Sequence, residues 1–305
     1  MGATILGYHA DKFVPKEQLQ TIQDLGVTTF CAPPTALRVL ILEDLKSYNF
    51  KLRQCVAAGE PLNPEIIDVW KEGTGISIRD GYGQSESTAM IANLPDQQLK
   101  YGSMGKPLFL YNIVIADDDG NIVQDCEEGN ICVVHDENTI DGIFKTYLIQ
   151  KDKMAKVFKH GLYYTGDKAY KDEDGYVWFV GRDDDVIKAS DFRVGPFEVE
   201  SVLLEHDAVM EAAVVASPHD LRSNAVKAFV ILAPGHDVSE VLASDIFRYT
   251  EEHLARYKIP RIIQFVETLP KTLSGKIRRV ELRNQEAVDK KDKVKLVNEY
   301  FHEKY

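Results

Sequence analysis

In the first 93 positions, segments with apolar residues at helical spacing alternate with short apolar runs typical of strands. Leu19, Ile22 and Leu25 recur at helical spacing and are followed by Gly26, a residue type that often ends helices. The same criteria predict helices at 15–25, 35–45, 64–70 and 85–93, and strands at 3–8, 27–32, 55–58 and 76–78. Strands that alternate with helices through short connections are typical of a parallel sheet covered by helices.

From residue 101 to residue 181 the pattern changes to short β-rich runs separated by turn signals. The runs at 111–116, 131–134 and 176–180 are rich in β-branched and aromatic residues. They are separated by turn signals in which a glycine follows an acidic residue, at Gly120, Gly129 and Gly175. This segment predicts antiparallel hairpins in a barrel-like lobe.

Residues 195–285 contain both helical apolar spacing and short strand-like apolar runs. Helices are predicted at 196–204 and 238–256, and strands at 209–217, 226–232 and 262–266. We therefore expect an α/β and α+β multidomain fold: an incomplete parallel sheet with helices (1–100), a β-rich barrel-like lobe (101–183) and a small C-terminal α+β lid domain (184–285). Val294, Val297 and Phe301 predict a helical tail over 286–305.

Composition narrows the classes of function. The chain has 305 residues, 36 basic and 48 acidic, and a formal charge of −12. This balance disfavours binding to nucleic acid or an anionic membrane, because both require a basic face. Its four cysteines form no CxxC pair, so we expect neither a zinc site nor a disulfide scaffold. The sequence opens on no secretory signal and holds no apolar run of membrane-spanning length, so we expect a cytoplasmic protein.

Three short motifs contain side chains suited to phosphate and sugar chemistry. PKTLSGK at 270–276 ends in Lys276, whose ammonium can meet a phosphate or a carboxylate. YTGD at 164–167 places Asp167 on a predicted turn, where a carboxylate can accept hydrogen bonds from two sugar hydroxyls. DGYGQSE at 80–86 lies at a predicted strand-to-helix junction, where Ser85 can donate to a phosphate and Glu86 can bind Mg²⁺. Taken singly, the three motifs are more simply a solvated basic loop, a turn aspartate and a glycine turn with a capping serine.

The order and spacing of five segments change that interpretation. AGEP at 58–61, YGQSE at 82–86, YTGD, GRDDDVIKASDFRVGP at 181–196 and PKTLSGK together resemble the acyl-activating, adenylate-forming enzymes, most closely the medium-chain acyl-CoA synthetases. The resemblance covers nearly the whole chain. It implies ATP-dependent activation of a carboxylate as an acyl adenylate and then transfer of the acyl group to CoA, with Mg²⁺ as cofactor. Residues 1–183 would belong to the AMP-binding domain and 184–285 to its lid.

The resemblance also implies roles for individual residues. Lys276 would be catalytic, placed between the substrate carboxylate and the α-phosphate, Asp184 would be the hinge of the lid, and Glu86 would hold Mg²⁺. The nucleotide would contact Gly59, Glu60, Pro61, Asp80, Tyr82, Gln84, Ser85, Asp167 and Arg182, and CoA would contact Ser190, Asp191 and Arg193. Gly83 stands where acetate-activating relatives carry a tryptophan, which implies an acyl pocket open to a carboxylate longer than acetate; alternatively, Gly83 is only a turn residue.

Two departures from the family pattern leave two functions open. No Ser/Thr/Gly-rich phosphate loop precedes AGEP, so we expect the C-terminal portion of a longer enzyme that is inactive alone. Asp191 replaces a family glycine on the path of CoA, where added bulk and negative charge oppose an anionic ligand. The first hypothesis is an acid–thiol ligase completed by an N-terminal partner fragment. The alternative is a degenerate, non-catalytic remnant or an interaction module that self-associates.

Overall fold

The structure, a computed structural model, describes residues 2–9, 12–135, 142–189, 192–219, 223–272 and 275–302. The helices in these ranges are Pro15–Asp24 (α1), Pro34–Leu40 (α2), Pro64–Thr74 (α3), Met154–Val157 (α4), Pro196–Leu204 (α5), Glu240–His253 (α6) and Arg279–Lys291 (α7). The strands are Thr29–Ala32 (β1), Gln54–Ala58 (β2), Ile78–Gly83 (β3), Ala89–Ala92 (β4), Lys106–Pro107 (β5), Ile113–Ala116 (β6), Gly129–Val134 (β7), Phe158–Lys159 (β8), Leu162–Lys171 (β9), Val177–Arg182 (β10), Ile187–Ala189 (β11), Phe192–Val194 (β12), Val209–His219 (β13), Ser223–Leu232 (β14), Ile262–Phe265 (β15) and Glu299–Phe301 (β16). The chain divides into two compact units, Met1–Asp80 and Gly81–Tyr305.

The first unit combines helices with a parallel strand pair. Strands β1 and β2 run parallel, as the sequence predicts. Trp70 of α3 is fully buried and stacks on Phe30 of β1, with ring centroids 5.9 Å apart. Helix α3 begins after Asn63, whose side chain accepts a hydrogen bond from the first turn, and ends at Gly75 in the left-handed conformation that glycine favours. The predicted strand at 3–8 is wrong: these residues are exposed and lie outside any strand.

The second unit opens with an antiparallel meander. The end of β3 pairs antiparallel with β4, and β4 pairs antiparallel with β5. The helix predicted at 85–93 is therefore wrong. A turn in which Ser87 N donates to Gln84 O (3.1 Å) replaces the helix start, and the buried side chains of Met90 and Ile91 belong to β4.

An antiparallel lobe, residues 113–182, follows. Its sheet has the order β10-β9-β7-β6, with β8 paired to β9. Ile131, Tyr163 and Val177 are among the buried residues of its core. The predicted β-rich lobe is confirmed.

The C-terminal lobe, residues 187–301, contains a hairpin of β11 and β12 and a four-stranded sheet of order β13-β14-β15-β16. Strands β14 and β15 are parallel, and the other two pairs are antiparallel. Helix α5 has the predicted bounds. The helical tail predicted over 286–305 is wrong, because α7 ends at Lys291 and β16 adds an edge strand to the sheet.

The parallel strand pair with its helices, the antiparallel lobe and the α+β C-terminal lobe together confirm the predicted α/β and α+β multidomain fold class. The predicted domain boundaries near 100, 183 and 285 stay predictions. Along the described part of the chain, no helix combines the length and apolar character that crossing a membrane requires.

Candidate functional site

Asp167 is the centre of a hydrogen-bonded cluster in the second unit. It lies inside β9 and not on the predicted turn, because Gly166, at φ 80°, accommodates an irregularity in the strand without ending it. The carboxylate is buried, with 6% of the residue exposed. Its Oδ2 accepts hydrogen bonds from Tyr82 Oη (2.6 Å) and Gln84 Nε2 (2.7 Å).

The other carboxylate oxygen of Asp167 points to a basic neighbour. Arg182 lies opposite Asp167 in the β9–β10 pair, and its Nε is 3.8 Å from Asp167 Oδ1. Burial raises the pKa of the Asp167 carboxyl, while Tyr82, Arg182 and Gln84 act in the opposite direction. The result is an oriented carboxylate, with Oδ2 hydrogen-bonded and Oδ1 facing Arg182.

Gln84 is fixed from both ends of its amide. Its Nε2 also donates to Thr165 O (3.0 Å), and its Oε1 accepts from Tyr163 Oη (3.0 Å). Burial raises the pKa of the Tyr82 phenol well above its ordinary value, and the nearby Asp167 carboxylate acts in the same direction. Tyr82 and Tyr163 therefore serve as neutral donors. Tyr82, Gln84, Asp167 and Arg182, which the sequence identifies as separate candidates, lie together here.

Glu86 lies on the turn between β3 and β4. Its Oε1 accepts a hydrogen bond from Tyr147 Oη (2.8 Å), and burial together with Glu86 raises the pKa of Tyr147 to about 12. In the described ranges no group of three or more His, Cys, Asp or Glu residues is suited to hold a metal. Mg²⁺ is commonly bound through one or two carboxylates together with substrate phosphates, and a single oriented Glu86 fits that mode.

Ser85 and Gly83 flank the cluster on the same segment. Ser85 is exposed on the turn. A β-carbon at Gly83 would lie 2.5 Å from Thr88 O and 3.1 Å from Ala89 Cα, where the β3–β4 register shifts. The backbone of this chain therefore requires glycine at position 83 independently of any acyl pocket.

The remaining nucleotide candidates belong to the first unit. Gly59 follows β2 at φ 98°, and Pro61 comes two residues later in the same loop. Glu60 Oε2 accepts from Thr35 Oγ1 (2.6 Å), whereas Glu60 Oε1 is buried without a hydrogen-bond partner among the described residues. Asp80, at the end of this unit, is buried.

Lys276 lies on a tight loop between β15 and α7. Thr272 N donates to Lys276 O (2.8 Å), and Lys276 N donates to Thr272 Oγ1 (3.1 Å), so hydrogen bonds join the two ends of the loop. The Lys276 side chain is exposed. No contact among the described residues joins it to the Asp167 cluster.

The hinge candidate Asp184 lies in the linker, residues 183–186, between the two lobes of the second unit. Its carboxylate is exposed and lies 3.7 Å from Arg182 Nε and 3.7 Å from Arg283 Nη2. Of the three CoA candidates, Arg193 is exposed on β12, and Ser190 and Asp191 lie outside the described residues.

Sequence reasoning missed the residues that position this cluster. Tyr147 belongs to no motif, Thr165 lies within YTGD but carries no predicted role there, and Tyr163 appears in the sequence only as part of an apolar run. Tyr163 directly precedes YTGD, and that adjacency to a motif is the one signal that would have identified it.

The site thus combines a buried, oriented carboxylate, a second carboxylate on a turn and a lysine loop on an α+β lobe. These features are expected of adenylate-forming enzymes. The AMP-binding enzyme family matches residues 1–148, and the AMP-binding enzyme C-terminal domain matches residues 198–276. The chain belongs to the AMP-binding enzyme family.

Individual relatives agree with this assignment. The chain is 52% identical over 303 residues to 4-hydroxybutyrate--CoA ligase 1 of Metallosphaera sedula, with 98% of this chain and 53% of that protein covered. It is 44% identical over 288 residues to the mitochondrial acyl-coenzyme A synthetase ACSM3 of Rattus norvegicus, with 93% and 50% covered. A crystal structure of the anthranilate CoA ligase AuaEII with anthranoyl-AMP matches with a TM-score of 0.83 and 38% identity, covering 91% of this chain and 53% of that one. The chain thus spans about half the length of the relatives that it matches.

Proposed function

We propose that this chain is part of an AMP-forming acid–thiol ligase. In the first step a carboxylate oxygen attacks the α-phosphorus of ATP and pyrophosphate leaves. In the second step the sulfur of CoA attacks the acyl carbonyl, loses its proton, and AMP leaves. The observation that carries the proposal is the buried Asp167 carboxylate, which Tyr82 and Gln84 orient and Arg182 faces.

In this proposal Asp167 accepts hydrogen bonds from the ribose hydroxyls, because an oriented acid is suited to a vicinal diol. Ser85 donates to the α-phosphate. Lys276 neutralises the charge that builds up when a carboxylate approaches a phosphate, the main electrostatic requirement of such a reaction. The proposed contacts of the adenine are the loop after β2 and the end of the first unit, namely Gly59, Glu60, Pro61 and Asp80.

Glu86 would hold Mg²⁺ through its oriented carboxylate. The ion would neutralise phosphate charge when bound. Tyr147 orients the Glu86 carboxylate through Oε1, and the proposed ligand atom is Oε2.

We further propose a carboxylate longer than acetate as the substrate. The name of the Metallosphaera sedula relative supports this class, because 4-hydroxybutyrate has a longer carbon chain than acetate. CoA remains the proposed acceptor, with Ser190, Asp191 and Arg193 on its path. The free thiols of all four cysteines support a reducing compartment, and we propose the cytoplasm.

The test has two stages. The first is titration of this chain with AMP and with a non-hydrolysable acyl-adenylate analogue, followed by calorimetry; we expect binding that the variant Asp167→Asn weakens. The second supplies the remaining half of the Metallosphaera sedula relative and measures carboxylate-dependent exchange of pyrophosphate into ATP. Absence of analogue binding by the parent chain would contradict the nucleotide site. Binding without exchange for any carboxylate from acetate upward would favour the non-catalytic alternative, in which a partner fragment or a second copy of the chain uses the site.

A further inference from the structure

The linker between the antiparallel lobe and the C-terminal lobe carries three consecutive carboxylates, Asp183, Asp184 and Asp185. Each has a different set of basic neighbours. A run of acids at a surface is usually only solvated, so the partners of each carboxylate decide whether this run does more.

The first carboxylate is fixed to the antiparallel lobe. Asp183 N donates to Gly166 O (2.9 Å), and Asp183 Oδ1 lies 3.1 Å from Lys168 Nζ. The Lys168 side chain is only 6% exposed, and its ammonium also donates to Asn130 Oδ1 (2.9 Å). The linker therefore leaves this lobe with Asp183 still attached to it.

The third carboxylate is fixed to the C-terminal lobe. Arg283 of α7 forms an ion pair with Asp185, and both side chains are mostly buried, with 22% and 12% exposed. The same guanidinium lies 3.7 Å from Asp184 Oδ2. Partial burial makes such pairs stronger than fully solvated ones, because water screens them less.

Helix α7 is itself anchored to the C-terminal lobe on both sides of Arg283. One turn earlier, Arg279 donates to both oxygens of Glu200 on α5 (2.9 and 2.6 Å). Nearly one turn later, Glu286 is fully buried and accepts from Ser217 Oγ of β13 (2.6 Å). Arg283 therefore moves with this lobe and cannot follow the linker independently.

Asp184 lies between these two side-chain attachments, and it faces a base from each side, Arg182 and Arg283. The backbone of the linker is also tied to β10, because Asp185 N and Val186 N both donate to Arg182 O (2.9 and 3.0 Å). We propose that Arg283 is a positioning residue: its ion pairs with Asp184 and Asp185 hold the C-terminal lobe in the orientation seen here. A rotation at Asp184 changes the geometry of these pairs, while the contact between Lys168 and Asp183 can persist. The consequence for catalysis rests on the proposed function, since Lys276 is carried by the loop that leads into α7.

The experiment measures the distance between the two lobes in the full chain without substrate. Spin labels are placed on the native, exposed Cys126 of the antiparallel lobe and on Val241→Cys, an exposed position of α6, in a Cys31→Ser background. Cys55 and Cys132 are buried and stay unlabelled. Pulsed electron–electron double resonance then gives the distribution of distances between the two spin labels.

We expect Arg283→Gln to raise the ratio of a second lobe orientation to the parent one about tenfold, the size of a typical coupling between contacting groups. Arg283→Lys, which keeps the charge but loses the planar fork, should give an intermediate ratio. The matched control is Arg278→Gln, which removes an exposed arginine of the same segment whose ion pair, among the described residues, is the local one with Glu281. The control should reproduce the parent distribution.

Circular dichroism and thermal unfolding establish that each variant is folded. If Arg283→Gln does not fold, Asp185→Asn removes the same pair from the other side and decides the question. Parent-like distributions in the folded variants overturn the proposal, and so does an equal change in Arg283→Lys and Arg283→Gln, because charge would then not be responsible. The distances do not depend on nucleotide binding, so failure of the calorimetric test above leaves this result independent.

Discussion

At the scale of single residues, the site depends on one carboxylate being held where water is scarce. Asp167 has a raised pKa because burial disfavours its charge more than Tyr82, Arg182 and Gln84 stabilise it. Its charged form therefore makes the folded state less stable, a cost that is consistent with a site shaped for a ligand and not for stability alone.

The variant Asp167→Asn should separate binding from stability. Loss of a charged acceptor should weaken AMP binding by roughly 10- to 100-fold. At neutral pH the free energy of unfolding should be equal to or higher than that of the parent. Because the folded pKa is raised, the destabilisation of the parent is fully present above that pKa and disappears as the pH falls through it towards the unfolded value. Urea unfolding at several pH values measures this; a difference that grows on acidification would contradict the assignment.

Gly195 provides a second test at this scale. A β-carbon there would collide with the carbonyl oxygen of Val180, at the contact between β10 and the start of α5. We expect Gly195→Ala to lower the free energy of unfolding by about 1–3 kcal/mol, as overpacking does. Gly7→Ala is the matched control, because nothing lies within 4 Å of a β-carbon at Gly7. Equal urea midpoints for both variants and the parent would show that the backbone around Gly195 accommodates a β-carbon without loss of unfolding free energy.

At the scale of elements, α7 is held by charges that the hydrophobic pattern does not reveal. Lys227 of β14 is fully buried, and its ammonium lies 2.5 Å from Glu286 Oε2 and 2.6 Å from Glu299 Oε1. Lys290 lies 3.2 Å from Glu299 Oε1 and adds a second positive charge. This network joins the helix, the sheet and the edge strand β16.

Lys227→Met should be strongly destabilising, because it leaves two buried carboxylates without their main partner. The expected loss is about 3–5 kcal/mol in the free energy of unfolding. Lys291→Met, at an exposed position of α7, controls for the change of residue type. Chemical denaturation of the two variants tests the difference, and similar midpoints for both would count against an essential buried network.

The same elements explain which parts of the fold were predictable. Helix α5 follows from a proline at its first position and apolar spacing, and β10 from an aromatic run, because local signals and burial agree there. The tail was mispredicted because Val294, Val297 and Phe301 have helical spacing but are exposed, whereas buried Glu286 looks like a surface residue in the sequence. A glycine beside an aspartate predicts a turn at YTGD, and pairing with two neighbouring strands overrides that signal.

At the scale of the whole molecule, the first family match ends at residue 148 and the second begins at residue 198, which leaves an interval between them. Strands β9 and β10, the Asp167 carboxylate and the linker all lie between them. The motif order alone identified candidates in this interval. Their convergence on Asp167 required the cross-strand register, which no local pattern in the sequence specifies.

The four cysteines report on the folding of both units at once. Burial raises the pKa of the Cys55 and Cys132 thiols to about 12 in each case, whereas Cys31 and Cys126 are exposed. A chromogenic disulfide reagent should therefore react rapidly with two thiols in the native chain and with four in denaturant, because the thiolate is the reactive form. Cys31→Ser should leave one rapid thiol, and rapid reaction of all four in the native chain would contradict the buried positions.

The backbone contact at Gly83 constrains the order in which mutations can alter this protein. A β-carbon introduced at position 83 would lie 2.5 Å from Thr88 O, so a single exchange there destabilises the fold. A lineage or an engineer must first move the 88–89 backbone, and only then does position 83 become open to substitution. Under the acyl-pocket role that the family resemblance implies for Gly83, specificity at this position is epistatic: the permissive change lies at the start of β4, and the selective change on β3 has an effect only after it.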